Sequence, residues 1–294
     1  MSEKLFDRVA LIGIGLIGSS LARVLRRDCP ETRIVACARS AETLDAVRRL
    51  DLADETTDDP AAASDGADLV VLATPLSAYR EIGMRIAPSL RKGAIVTDVG
   101  SVKEAVIRDL QPLMPEGVHF VPGHPVAGTE HSGPESGFAE LFRDRWCVLT
   151  PLPETAPEAV AKVTALWELA GMRVTQMAAD HHDKVLAVTS HLPHLIAYTI
   201  VGTATDLADD LKSEVVTFSA GGFRDFTRIA ASDPIMWRDI FLANREAVLE
   251  IVQRFTEDLT ALQRAIRWGE AETLEARFRE TRAIRRSVID AKQA

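Results

Sequence analysis

Three stretches of the sequence gather side chains that can move protons, grip anions or approach a phosphate. "IGIGLIG" sets Gly13, Gly15 and Gly18 in a GxGxxG spacing. "FVPGHPVAGTE" wedges His124 between Gly123 and Pro125, with Glu130 at its end. "GGFRDFTR" carries Arg224 and Arg228 four apart. A histidine beside a substrate hydroxyl can take its proton while hydride leaves the same carbon. A planar guanidinium can hold a carboxylate through two hydrogen bonds, and residues four apart on a helix share a face. The glycines and the histidine would suit dinucleotide-linked oxidation of an alcohol; taken alone, His124 could equally be a surface or structural group, and the arginine pair a solvated helix face beside Asp225 or Asp233.

The glycine spacing is a weak signal alone. Here it follows the apolar run "RVALIGI" (8–14) and opens the helical "LIGSSLARVLRRD" (16–28), with a second strand, "RIVACA" (33–38), close behind. In that context Gly13 and Gly15 allow a tight turn against a pyrophosphate, and Gly18 allows close helix–strand packing. Leu16 and Ile17 open the helix whose N-terminus faces the phosphates. The second strand should end in an acid that holds the ribose 2′-hydroxyl of NAD. That position is Ala38, followed by Arg39 and Ser40. Losing the acid removes repulsion toward a 2′-phosphate, and Arg39 and Ser40 can bind one. The cofactor expected is therefore NADP or NAD, with NADP slightly favoured. Arg39 as a mere surface residue, with NAD held by other contacts, is the competing reading.

Further strands are expected at 68–75, 93–100, 118–123, 146–151 and 172–177, mostly separated by helical segments. Continuous apolar strands are buried on both faces, and strand–helix alternation implies a doubly wound α/β dinucleotide-binding (Rossmann) domain. Ligands on such sheets sit beyond the strand carboxyl ends. Thr74 and Pro75 of "ATPLS", Ser101 of "TDVGSVK" and His124 all lie at such ends. After residue 178 the strands stop. A helical segment over 179–208 should kink at Pro193. "SDP" (232–234) starts another helix, with an N-cap and then proline, and its apolar spacing runs unbroken to about 267. A last helix covers 271–290. The expected division is 1–178 for the dinucleotide domain and 179–294 for an all-helical substrate and dimerisation domain, with no further domain fused to either.

The 294 residues carry a net charge of −9, with 47% hydrophobic and 26% charged residues. An acidic chain repels phosphate backbones, so no nucleic-acid partner is expected. Three cysteines without a CxxC pair read as a reduced, cytoplasmic protein. No signal peptide and no run of 18 apolar residues is seen, so no membrane partner is expected. His181–His182 and His191–His194 could suggest a metal, but no carboxylate sits at a matching offset and hydride transfer needs none; no metal is expected.

Taken in order, "DVGSVK", "GHPVAGTE" with "SGPESGFAELF", "TSHLPH" and "GGFRDFTRIAASDPIMW", after the glycine-rich opening, resemble the prephenate/arogenate (cyclohexadienyl) dehydrogenases of tyrosine biosynthesis. The likeness runs from about residue 8 to about residue 240. It implies NAD(P)-dependent oxidation of a cyclohexadienol at its ring C4–OH, with loss of the ring carboxylate as CO2. By the same resemblance His124 is the catalytic histidine and Ser101 supports it and the nicotinamide. Arg228 binds the substrate carboxylate, with Arg224 a weaker partner. Ser190 and His194 line the pocket, and Glu130 lies near its mouth. A homodimer through the helical domain is implied as well. Two alternatives compete: a β-hydroxyacid dehydrogenase using Lys184, and a dinucleotide-sensing protein without chemistry. Intact Ser101, His124 and Arg228 argue against the second.

Overall fold

The computed structural model of this protein describes residues 4–205, 214 and 221–290. It divides into two compact units, Met1–Arg245 and Glu246–Ala294.

Apolar runs build the main sheet of the first unit. β1 (Arg8–Ile12), β2 (Arg33–Cys37), β3 (Glu55–Thr57), β4 (Leu69–Leu72), β5 (Ile95–Asp98) and β6 (His119–Val121) are all parallel, in the order 3-2-1-4-5-6. The short polar edge strand β3 was not expected from the sequence; only its neighbour β2 defines it. Between the strands run α1 (Leu16–Asp28), α2 (Ala41–Arg49), α3 (Pro60–Ser64), α4 (Tyr79–Ile86) and α5 (Lys103–Leu110). Val9 and Leu11 of β1 pack with Leu21, Val24 and Leu25 of α1. Ala10 and Ile12 pack on the opposite face with Tyr79, Ile86 and Val106. Alternate residues of one strand thus feed two cores, which is why the strand reads as continuously apolar. The strand order reverses between β1 and β4, where such sheets open a ligand crevice at their carboxyl ends.

The strands expected at 146–151 and 172–177 do not extend this sheet. β8 (Trp146–Leu149) pairs in parallel with β9 (Arg173–Gln176), across α6 (Pro157–Leu169), and antiparallel with β7 (Gly123–Pro125). His124 therefore lies in a strand, opposite Val148, rather than in a loop. Pro125 is tolerated because β7 is an edge strand, where a missing N–H breaks no second ladder.

The helical part begins with α7 (Ala179–Leu186), a π-turn (Ala187–His191) and α8 (Leu192–Thr205). The wide π-turn falls just before Pro193, where proline removes a helical donor, so the break precedes the expected position. Residues 206–208 of the expected helix lie outside the described residues. Ala179–Ala204 is by length and composition apolar enough to cross a membrane, with a mean hydropathy of 1.4 over an 18-residue window. Its first turns carry His182 and Asp183, which are buried and hydrogen-bonded within the first unit. α9 (Gly221–Thr227) ends before Arg228, which starts a 3-10 turn (Arg228–Ala231). Arg224 and Arg228 therefore do not share one α-helical face as expected.

α10 (Pro234–Ala243) is capped by Asp233, whose carboxylate accepts the Met236 N–H at 2.8 Å. The long helix expected over 234–267 is broken at Asn244. That side chain turns back to donate to the Asp183 carbonyl at 2.8 Å. The break separates α10 from α11 (Arg245–Trp268), all but its first residue in the second unit. There α11 and α12 (Ala271–Asp290) form a helical pair, with Arg277 reaching Asp258 at 3.9 Å. Leu259, Ile266, Trp268, Phe278 and Ile284 of this pair are exposed.

Candidate active site

The β1–α1 turn is shaped for a close-approaching anion. Gly13 has φ +99°, and a Cβ there would lie 2.5 Å from the Ala73 carbonyl oxygen. A Cβ on Gly18 would lie 2.1 Å from the Gly13 oxygen. Neither position admits a side chain. Gly15 caps α1 with no side-chain hydrogen bond and faces open space. The first-turn N–H groups at Leu16, Ile17 and Gly18 thus meet no capping side chain, as an anion site requires. At the end of β4 the Thr74 hydroxyl is buried without a partner, with Pro75 exposed beside it. An orphaned hydroxyl and a glycine cradle at the switch point fit a bound dinucleotide. At the end of β2, Arg39 is exposed, and Ser40 caps α2 by accepting the Thr43 N–H at 3.4 Å.

His124 is held from two sides. On one, Asp98 and Lys103 form a fully buried ion pair at 2.5 Å. Asp98 accepts the Gly123 N–H at 3.0 Å, and Lys103 Nζ donates to the Gly123 carbonyl at 2.6 Å. Both polar groups of the residue before His124 are thereby fixed. Asp98 also accepts the Gly100 N–H at 2.8 Å, which shapes the bend bearing the half-buried Ser101. Burial pulls the Lys103 ammonium below its usual pKa and Asp98 opposes this. On the other side, His124 Nδ1 lies 2.8 Å from His182 Nε2, and His182 Nδ1 lies 2.7 Å from Asp183 Oδ1. The Asp183 carboxylate also accepts the N–H groups of Lys103 and Glu104 at 2.7 and 2.9 Å. Burial, with His182, Lys103 and His191 nearby, pushes His124 well below its ordinary pKa. Burial likewise lowers His182, against the pull of Asp183. Both rings are therefore neutral at neutral pH, as a general base must be.

The residues expected to bind substrate fall into two groups. His194 stacks on Trp237 with ring centroids 3.6 Å apart, and its Nδ1–H donates to the Ser190 carbonyl at 2.8 Å. Burial lowers the pKa of His194. Arg228 and Glu130 face each other at 3.2 Å, tying the 3-10 turn to the segment after β7. The Arg228 side chain is 60% exposed, so its guanidinium is available to a carboxylate. Arg224 is not brought to this group; it is exposed, with Asp225 as a neighbour at 4.0 Å. Lys184, on which the β-hydroxyacid alternative rests, is exposed and pairs with Asp180 at 3.6 Å.

Sequence reasoning missed the two devices that hold His124. Asp98 and Lys103 sit within "TDVGSVK", but nothing in that spacing shows that the pair is buried. His182 was weighed only for metal binding, and Asp183 was not singled out. The signal was an adjacent His–Asp pair opening a helix, which can cap a neighbouring helix and orient a ring together.

Known proteins resemble this chain along most of its length. The profile of the prephenate dehydrogenase nucleotide-binding domain matches residues 21–176, and that of the prephenate dehydrogenase dimerization domain matches 178–280. A cyclohexadienyl dehydrogenase of Zymomonas mobilis is 43% identical over 280 residues, covering 95% of both chains. A prephenate dehydrogenase of Bacillus subtilis is 32% identical, covering 95% of this chain and 75% of its own. Among solved structures, prephenate dehydrogenase from Aquifex aeolicus, in complex with hydroxyphenyl propionate and NAD+, superimposes with a TM-score of 0.90 at 36% identity, covering 96% and 98% of the two chains. Synechocystis arogenate dehydrogenase superimposes with a TM-score of 0.79 at 28% identity, covering 95% and 98%.

Proposed function

The chain belongs to the prephenate dehydrogenase family, and on that premise we propose how its own residues carry out the reaction. The enzyme catalyses oxidative decarboxylation of prephenate to 4-hydroxyphenylpyruvate, of arogenate to tyrosine, or of both, in tyrosine biosynthesis. NAD(P)+, when bound over the glycine cradle, supplies the hydride acceptor. The protein is a homodimer built through its dimerisation domain.

His124 accepts the proton of the ring 4-hydroxyl. The observation that carries this role is its burial as a neutral ring, at the carboxyl end of the sheet, gripped through Gly123 by Asp98 and Lys103. Ser101, in the bend between β5 and α5, supports the ring and the nicotinamide end of the cofactor. Arg228 takes a substrate carboxylate in exchange for part of its contact with Glu130, which lies at the mouth. Ser190 and His194 line the pocket, and Trp237 keeps the His194 ring flat against its own. Arg224 adds only long-range attraction for an anionic substrate. Gly13, Gly15, Leu16, Ile17 and Gly18 bind the pyrophosphate, with Thr74 and Pro75 beside it. Arg39 and Ser40 receive a 2′-phosphate, so NADP is used at least as well as NAD. The functional boundary lies at 178, with the dinucleotide site before it and the helical substrate and dimerisation part after it. The enzyme works in the cytoplasm without a nucleic-acid or membrane partner, in keeping with its acidity and its reduced cysteines.

The test is cofactor reduction with prephenate, arogenate and a 3-hydroxy acid offered in turn. Reduction with either cyclohexadienol, accompanied by CO2 release, is expected. Reduction with the 3-hydroxy acid alone would return the assignment to the β-hydroxyacid class.

A further inference from the structure

We propose that His182 and Asp183 are positioning residues for His124: they fix the tautomer that leaves its Nε2 as the base, and they draw the borrowed proton's charge one ring further inside. The proposal rests on His124 being the base.

The chain of bonds has one consistent direction. The Asp183 carboxylate faces three donors, the N–H groups of Lys103 and Glu104 and a nitrogen of His182. An ionised carboxylate only accepts, so His182 Nδ1 carries the hydrogen. In a neutral imidazole the other nitrogen is then an acceptor. His182 Nε2 accordingly accepts from His124 Nδ1–H across 2.8 Å. That leaves His124 Nε2 with the lone pair. If His182 were doubly protonated, His124 Nδ1 would have to accept, and the neutral ring would carry its hydrogen on Nε2, where no proton could be taken.

The groups around the pair make this direction the favourable one. From α5 comes Lys103, and from β5 Asp98, already paired with it. From β8 comes the buried thiol of Cys147. From the π-turn comes His191, whose Nδ1 lies 3.1 Å from Asn244 Nδ2. A positive charge on His124 itself would face Lys103 without a carboxylate bonded to its ring. A positive charge on His182 meets Asp183 at 2.7 Å.

The proton account closes. As hydride leaves C4 and reduces the dinucleotide, the hydroxyl proton passes to His124 Nε2, and the Nδ1 proton passes to His182 Nε2. The substrate is then a ring ketone still bearing its carboxylate. The bond from C1 to the carboxylate carbon breaks, CO2 leaves, and the electron pair flows through the ring to the C4 oxygen. That phenolate takes back the proton from His124 Nε2, and His182 returns its own. No net proton is released, so the pair stores charge for part of each turnover.

Two measurements test this. In the protein without cofactor, 15N spectra of the histidine rings should show both His124 and His182 protonated on Nδ1 and bare on Nε2; a His124 hydrogen on Nε2 would overturn the proposal. The second is His182→Gln, whose side-chain oxygen can still accept from His124 Nδ1–H but cannot take a proton. Its kcat should fall by about tenfold or more with KM little changed, and the acid limb of the kcat profile should move to lower pH. Full kcat, or a loss with the acid limb unmoved, would make His182 a packing residue only. His124→Asn keeps the two readings apart: if it retains activity, the base assignment itself fails, whatever His182→Gln does.

Discussion

Replacing Lys103 by methionine should damage this protein twice, in its stability and in its chemistry. The side chain is fully buried and makes two short bonds, 2.5 Å to Asp98 and 2.6 Å to the Gly123 carbonyl. Methionine fills much the same volume, so the loss is electrostatic. It strands Asp98 as an uncompensated buried charge, which typically costs about 3–5 kcal/mol. A domain has roughly 5–15 kcal/mol in all, so the variant should still fold, with a clearly lower urea midpoint. The freed Gly123 carbonyl lets β7 shift, and a displacement of about 1 Å at a reacting group can cost on the order of a hundredfold in turnover. Adding Asp98→Asn removes the stranded charge, and its single amide oxygen keeps an acceptor for one of the Gly100 and Gly123 N–H groups, which bond to separate oxygens of Asp98. The double variant should therefore be more stable than Lys103→Met alone. A loss below about 1 kcal/mol in the single variant, against the range for a broken buried pair, would refute this reasoning. So would a double variant less stable than the single.

Arg228→Ala should act chiefly on KM, by roughly 2–5 kcal/mol if the carboxylate contact is buried in the complex; an unchanged KM would remove Arg228 from the site. Ala38→Asp should turn cofactor preference toward NAD, because a carboxylate there repels a 2′-phosphate and grips the ribose. kcat/KM with both cofactors checks this, and a wild type that strongly favours NAD and ignores Arg39→Ala would count against it. Acid should weaken the fold before its carboxylates titrate. Burial pushes His191 down to about 4, so from pH 7 to pH 5 the unfolded chain gains a proton there that the folded chain does not. Stability is present above the unfolded pKa and falls with pH, by about 2 kcal/mol at pH 5 for this ring. Urea melts at the two pH values read it, and His191→Gln should flatten the slope.

What could be read from the sequence was set by forces acting within a few residues. The GxGxxG turn is one case, since Gly13 and Gly18 are required by neighbours in the same turn and the next strand end. The parallel strands were legible because burial on both faces leaves continuous apolar runs. Three features escaped because their causes are distant in the chain. The break at Asn244 depends on a carbonyl at Asp183 and a ring at His191. The strand character of Gly123–Pro125 depends on β8, which arrives some twenty residues later. The burial of Lys103 depends on a carboxylate across a bend and a carbonyl beyond β6. Of the candidate residues, His194 and Ser190 are brought together and Arg228 meets Glu130, whereas Arg224 stands apart for want of a continuous helix.

The most direct measurement is turnover of His124→Asn with the cyclohexadienol that the wild type uses, in a variant shown by its urea melt to be folded. If His124 takes the hydroxyl proton, kcat should fall by about 10²–10⁴-fold, the range for losing a general base, with cofactor binding retained. A folded variant that turns over at close to the wild-type rate would contradict the account.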